Sequence, residues 1–331
     1  MPTLRELWQI LRTEPAKGTN IISLRLHSEA VGVRLFAGLE PSSDSLLIVI
    51  EIAKEAKPKE WPRVSTNAFD AQTVMFAGLP TGRVALSILL KDRRYEDLFV
   101  LLSDDIVKAV EAAADETSAV RSVVRSIERW RKFLERGKKH LTEEEVRGIL
   151  GELAVLGRCI IHYGVETSLD AWQHDGGLRD FEFPSIAVEV KTYQAATGAA
   201  IRIGDPAQLE PAPGRPVYIA TIQMSLVENA GWSLSMAVNR INEMLYGDAV
   251  DKFWDILSAQ GYFPAHAEYY PERYKLSAVE SFHVSDGFPR ITSNAVPLGV
   301  EAVSFSIRLA ALWQFRVKST DFLGSESPLE Q

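Results

Sequence analysis

The segment Asp180-Phe181-Glu182-Phe183-Pro184-Ser185-Ile186-Ala187-Val188-Glu189-Val190-Lys191-Thr192 sets acids and one amine inside an otherwise apolar stretch. In a strand, residues two apart share a face, so Ala187, Glu189 and Lys191 project one way and Ile186, Val188 and Val190 the other. A carboxylate inside such a strand is costly to bury, and one ion pair with Lys191 often fails to repay the desolvation. The Pro184-Ser185 turn can fold Asp180 back beside Glu189, giving two carboxylates able to hold one divalent cation, and magnesium suits such oxygen ligands. Phosphodiester hydrolysis needs an oriented water, a cation opposing the charge that builds on the phosphate, and help for the leaving oxygen. Lys191 can orient that water, with its own proton loosened by burial and by the cation. The plainer reading is that Asp180 caps a turn and Glu189 pairs with Lys191 on a solvated sheet face.

These side chains need a scaffold, and the flanking sequence describes one. Thr142-Glu143-Glu144-Glu145 has the form of a capping box and opens a helix over about Glu143 to His162. Glu152 lies on the face of that helix marked by Ile149, Val155 and Leu156, where a charge needs a reason; otherwise it reaches solvent at the margin of the apolar stripe. Gly148, Gly151 and Gly157 each lower helix propensity by about 1 kcal/mol relative to Ala, which makes sense if the backbone packs closely against a sheet. After a short segment at Val165-Glu166-Thr167 come two strands, Arg179 to Phe183 and Ile186 to Thr192. A strand-like Ala200 to Ile203, a turn at Asp205 to Leu209 and an apolar strand at Val217 to Met224 complete an α/β core.

Thr142-Glu143-Glu144-Glu145, Gly151-Glu152-Leu153, Trp172, Asp180-Phe181-Glu182 and Val188-Glu189-Val190-Lys191-Thr192 together resemble the PD-(D/E)XK motif proteins of unknown function, a branch of the restriction-endonuclease-like superfamily. Phe288-Pro289-Arg290-Ile291 and the Gly299-Val300 to Arg308-Leu309 segment extend the likeness over most of the chain. The resemblance implies an α/β (α+β) fold, with a central mixed sheet flanked by helices and the Glu152 helix packed on it. It implies Asp180 and Glu189 as magnesium ligands, Glu152 holding the metal directly or through water, Val190 within the metal site, and Lys191 beside the attacking water. Gln208 stands where related nucleases carry a glutamine or an aromatic residue near the substrate. Arg179 departs from the family pattern, which has proline before the first acid. Superfamily members can also keep the fold and lose the cutting activity.

Elsewhere the pattern predicts a β-rich N-terminal domain over residues 1–103, with strands at Ile21 to Leu26, Val31 to Leu39, Leu46 to Ile52, Val84 to Leu90 and Leu98 to Leu102. A helical connector follows over 104–140, then the nuclease core over 141–230 and a C-terminal α/β extension over 231–331. In that extension Leu234 to Leu245 and Ala249 to Gln260 read as helices, and Tyr274 to Val284 and Val300 to Leu309 as strands. Along the connector Arg121, Arg125, Arg129, Lys132 and Arg136 form a basic stripe, either a phosphate track or a solvated face paired with acids. Trp172, His174 and Asp175 can line the cleft mouth, and Tyr262, Tyr269, Tyr270 and Tyr274 can stack on bases or simply pack.

The bulk properties set bounds. At 331 residues the chain exceeds one ordinary core, and 46% hydrophobic with 24% charged residues is the mixture of a globular protein. A net charge of −8 makes any nucleic-acid contact local. Cys159, the one cysteine, excludes an intramolecular disulfide or a cysteine-based zinc site and reads as packing. The chain has no GxxxxGK[ST] phosphate loop, no basic-then-apolar leader and no long uncharged apolar run, so a cytoplasmic protein without a membrane contact is expected. The expected activity is magnesium-dependent DNA hydrolysis, with manganese as an alternative ion, in a bacterial restriction or phage-defence system, with partner proteins of that system and a homodimer as further expectations. The defence setting follows from the resemblance. The alternatives are a catalytically silent nuclease fold that binds nucleic acid or holds partners together, and a hydrolase of a small phosphorylated molecule.

Overall fold

A computed structural model of the chain describes residues 2–14, 22–40, 42–59, 62–75, 78–136, 140–173, 177–194, 199–324 and 327–329, except the side chains of 135, 136, 265 and 266. His174, Asp175 and the Arg136 side chain fall outside these residues. The chain divides into two compact units, 1–139 and 140–331, and its fold is mixed α+β.

The first unit opens with α1 (Leu4–Thr13), whose capping box joins Thr3 and Glu6 and whose Leu4, Leu7, Trp8 and Leu11 are buried. Six antiparallel strands follow: β1 (Ser23–Ala30), β2 (Val33–Glu40), β3 (Ser45–Ala53), β4 (Val64–Ser65), β5 (Phe69–Val74) and β6 (Arg83–Leu90). Their order is β1-β2-β3-β6-β5-β4. Val31 and Gly32 both take positive φ, 43° and 84°, which turns β1 directly into β2 as a tight hairpin. Leu98 to Leu102, expected as a strand, instead lies inside helix α2 (Glu96–Glu111). Phe99, Leu102, Ile106 and Val110 are buried at helical spacing, and a short apolar run alone does not distinguish the two periods.

Helix α3 (Glu116–Arg136) falls within residues 1–139. Glu116 at its start accepts the Ala53 amide at 2.7 Å, while Val120, Val123, Ile127 and Trp130 are buried. The basic stripe is not continuous: Arg129 is drawn in toward Asp105 at 3.5 Å and donates to Ser126 at 2.7 Å, whereas Arg121 and Lys132 are exposed.

The second unit contains α4 (Glu143–Tyr163), α5 (Val165–Ala171), β7 (Phe181–Glu182), β8 (Ala187–Tyr193), β9 (Ala200–Ile203), β10 (Val217–Val227), α6 (Leu234–Asn242) and α7 (Asp248–Gln260). After these come β11 (Arg273–Leu276), β12 (Glu280–His283), β13 (Phe305–Arg308), β14 (Arg316–Val317) and α8 (Thr320–Leu323). The sheet runs β14-β12-β10-β8-β7, with β8 and β10 parallel and the other neighbours antiparallel, so it is mixed. The expected strand from Tyr274 to Val284 is broken into β11 and β12, which pair with successive stretches of β10. β9 pairs with β13 in a separate two-stranded ribbon.

The alternation of β8 divides the core in two. Ile186, Val188 and Val190 pack with Ile149, Leu153, Leu156 and other residues of α4, whereas Ala187 packs with Ile219, Phe282 and the apolar residues of the β9–β13 ribbon. Close approach of α4 to the sheet depends on Gly151, where an added Cβ would lie 2.4 Å from the Thr192 methyl. Gly157 likewise admits Pro328, at 2.5 Å from a hypothetical Cβ, but Gly148 faces open space. Cys159 is buried in this core, which pushes its thiol up to about 12. Tyr262, Tyr270 and Tyr274 are buried packing residues and Tyr269 is exposed. Among the described residues no helix is long and apolar enough to cross a membrane.

Candidate active site

The hairpin expected around Pro184-Ser185 forms, with Phe181 paired to Val188 and Glu182 to Ala187. Asp180, the residue just before β7, lies close enough to Glu189 to raise its carboxyl. The Val190 amide fixes Asp180 by donating to its Oδ2 at 2.6 Å. Val190 therefore enters the site through its main chain, while its side chain faces the α4 core.

Arg179, in the place of the expected proline, braces this hairpin. Its guanidinium is buried and donates to the carbonyls of Gln208 at 2.7 Å, Ala207 at 3.1 Å and Glu210 at 2.5 Å. It also pairs with Glu182 at 3.1 Å. One side chain thus ties the strand next to Asp180 to the turn at 206–210.

Glu189 is 1% exposed. Its Oε1 accepts the Lys191 ammonium at 2.5 Å, and its Oε2 is enclosed with no partner. Burial, and after it the neighbouring Asp180, push the Glu189 carboxyl up to about 8, against the relief given by Lys191. Asp180 is also raised by burial, with Lys191 and the Val190 amide opposing. Lys191 is drawn down by burial, but Glu189, Asp180 and Glu152 outweigh that, and the net movement is upward. Burial alone loosens the Lys191 proton as expected, and the three acids hold it more tightly than burial releases it.

Glu152 projects from the middle of α4. Its Oε2 accepts two neutral donors, the Trp172 indole at 2.7 Å and the Gln260 amide at 2.5 Å. Burial and then Asp180 push Glu152 up to about 8, with the two donors opposing and Glu189 adding a smaller rise. Asp180 is therefore the acid that Glu152 and Glu189 each feel most. Among the described residues no group of three or more His, Cys, Asp or Glu is arranged to hold a metal ion.

Gln208 does not join these acids. Its Oε1 accepts the amides of Gly204 at 3.1 Å and Asp205 at 3.4 Å, closing a reciprocal cap with Asp205 over a 3₁₀ turn. The glutamine beside the acids is Gln260, the last residue of α7, delivered there because Gly261 at φ 96° stops the helix. Nothing local in the sequence marks Gln260, since its partner is 108 positions away. Trp172, expected at the cleft mouth, is 1% exposed and acts from within as the second donor.

The donor set offered by Glu152, Asp180 and Glu189 is made of carboxylate oxygens, and one of these is buried without a partner. Hard divalent cations prefer such oxygens. No curated protein and no solved structure matches the chain. Residues 4–310 match the family described as "Putative PD-(D/E)XK family member, (DUF4420)", and the chain belongs to that family.

Proposed function

We propose that the chain is a divalent-metal-dependent nuclease that hydrolyses phosphodiester bonds in DNA, with magnesium or manganese as its cofactor. The observation that carries the reading is Glu189, a carboxylate 1% exposed with one oxygen on Lys191 and the other unsatisfied. Such an oxygen is unfavourable inside a fold unless a proton or cation meets it. Asp180 and Glu189 would hold the cation, Glu152 would support it directly or through water, and the Val190 main chain would lie alongside. When bound, the cation polarises a phosphoryl oxygen and opposes charge on the leaving oxygen.

The protein's own groups have separable tasks. Val190 N–H keeps Asp180 Oδ2 in place and leaves Oδ1 for a ligand. Lys191, held by Glu189, presents an ammonium that can orient the attacking water and stabilise the developing negative charge. Arg179 would hold the hairpin so that Asp180 stays near Glu189. Restriction or phage defence is the biological setting we infer from the family, with proteins of that system as partners. A second copy of the chain would supply the second site that cutting both strands requires.

The test is cleavage of single- and double-stranded DNA with magnesium or manganese, beside a chelator control, Asp180→Ala and Lys191→Ala. Each variant should lower the rate by at least about 100-fold. Equal cleavage by wild type and variants, or none with either ion, would contradict hydrolysis at this site.

A further inference from the structure

Resting on the proposed metal site, we infer that Gln260 is a positioning residue for it, which fixes Glu152 from the end of α7. Three observations converge. The Gln260 Nε2 donates to Glu152 Oε2 at 2.5 Å, and the Trp172 indole reaches the same oxygen at 2.7 Å. Both donors on one oxygen lock the carboxylate's rotation and leave Oε1 as the face turned to any ligand. The donors are also neutral, so they favour the anion without placing a competing positive charge beside a cation.

The second observation concerns the other end of the amide. Gln260 Oε1 is buried with no hydrogen-bond partner. Exchanging the amide's oxygen and nitrogen would set an acceptor against the Glu152 carboxylate, so the orientation is dictated by that contact. The orphaned acceptor calls for a donor, which a water in the site would supply. Gln260 thus has one end for Glu152 and one for water.

The third is the way the chain delivers this residue. Gly261 takes the left-handed conformation at φ 96°, and its amide returns to the carbonyls of Leu257 and Ser258. The helix therefore ends immediately after Gln260, while Phe253, Ile256 and Leu257 anchor the preceding turns in the core. A side chain on the last turn of an anchored helix is held more precisely than one on a loop. The role is one of support: Gln260 acts on a cation through Glu152.

Manganese binding to the chelator-treated full chain provides the test, by titration calorimetry on wild type, Gln260→Leu, Glu152→Gln and the double variant. Partners that orient a ligand are typically worth about 10- to 100-fold in metal affinity. Gln260→Leu should therefore weaken manganese binding by about 10-fold, yet change it less than about twofold when Glu152 is already Gln. Gln260→Met, which keeps the length and loses both polar atoms, should repeat the result if the leucine variant folds poorly. Wild-type affinity in both Gln260 variants, or an equal loss with and without Glu152, would overturn the inference, because a merely structural defect would act in both backgrounds. Failure of the wild type to bind manganese would instead remove the metal site itself and this role with it.

Discussion

Without a cation, the stability of this protein should fall as the pH rises through the range in which the site's acids ionise. Burial, followed by Asp180, pushes Glu152 and Glu189 from their ordinary 4.5 up to about 8. Between those values the unfolded chain has released protons that the folded chain still holds, so the folded state binds more of them and rising pH favours unfolding. The direction is opposite to that of a salt-bridged carboxylate. The burden is absent below 4.5 and fully present above about 8. One pKa unit is about 1.4 kcal/mol, so a lone acid displaced this far would forfeit about 5 kcal/mol. Burial acts on each acid separately and only the mutual repulsion is shared, so the whole set costs at least as much as one acid alone, about 5 kcal/mol or more. Urea titrations in chelator, comparing wild type with Glu189→Gln, isolate the share of Glu189. The two proteins should be nearly equally stable at about pH 5, and the wild type should be weaker by about 2–3 kcal/mol at about pH 8. Magnesium at a hundredfold excess over its dissociation constant should return about 2.7 kcal/mol to the wild type. A wild-type-to-variant gap that stays flat across this range, or widens toward acid, would refute the reasoning.

Gly151→Ala places a methyl 2.4 Å from Thr192 and should destabilise the protein by about 1–3 kcal/mol, read from the urea midpoint. Arg179→Ala removes one donor from each of three carbonyls and leaves Glu182 with Arg215 alone, so a loss of about 2–4 kcal/mol is expected, together with faster amide exchange in 206–210. Gln208→Ala opens a surface cap at about 0.5–2 kcal/mol and should leave manganese affinity unchanged; a tenfold loss there would restore Gln208 to the site.

Much of the scaffold is legible because local rules govern it. The Thr142–Glu145 cap, the β7–β8 hairpin and the alternating faces of β8 follow from periodicity and capping, and all appear in the structure. Gly151 and Gly157 report close packing, and their neighbours bear this out, while Gly148 carries no such message. Leu98 to Leu102 misleads because its length suits a strand and a helix equally well, and only packing decides. The site divides along the same line. Asp180 and Glu189 are brought together by a turn of few residues, which the sequence displays. Glu152 reaches them through the tertiary packing of α4, and Gln260 through a helix stop more than a hundred positions later. Gln208 stands at a suggestive position along the chain, yet its own turn claims its side-chain oxygen. That Asp180 acts on both Glu152 and Glu189 is a matter of relative placement that no spacing in the sequence encodes.

Under the proposed function, Glu189 and Asp180 grip a cation that Glu152 helps to hold. Crystals grown with manganese and measured at the metal's absorption edge address it directly. An anomalous peak within about 2.5 Å of Glu189 Oε2 and Asp180 Oδ1, lost in Glu189→Gln, is the predicted result. A peak elsewhere, or Glu189 Oε2 still without a partner in manganese, would contradict it.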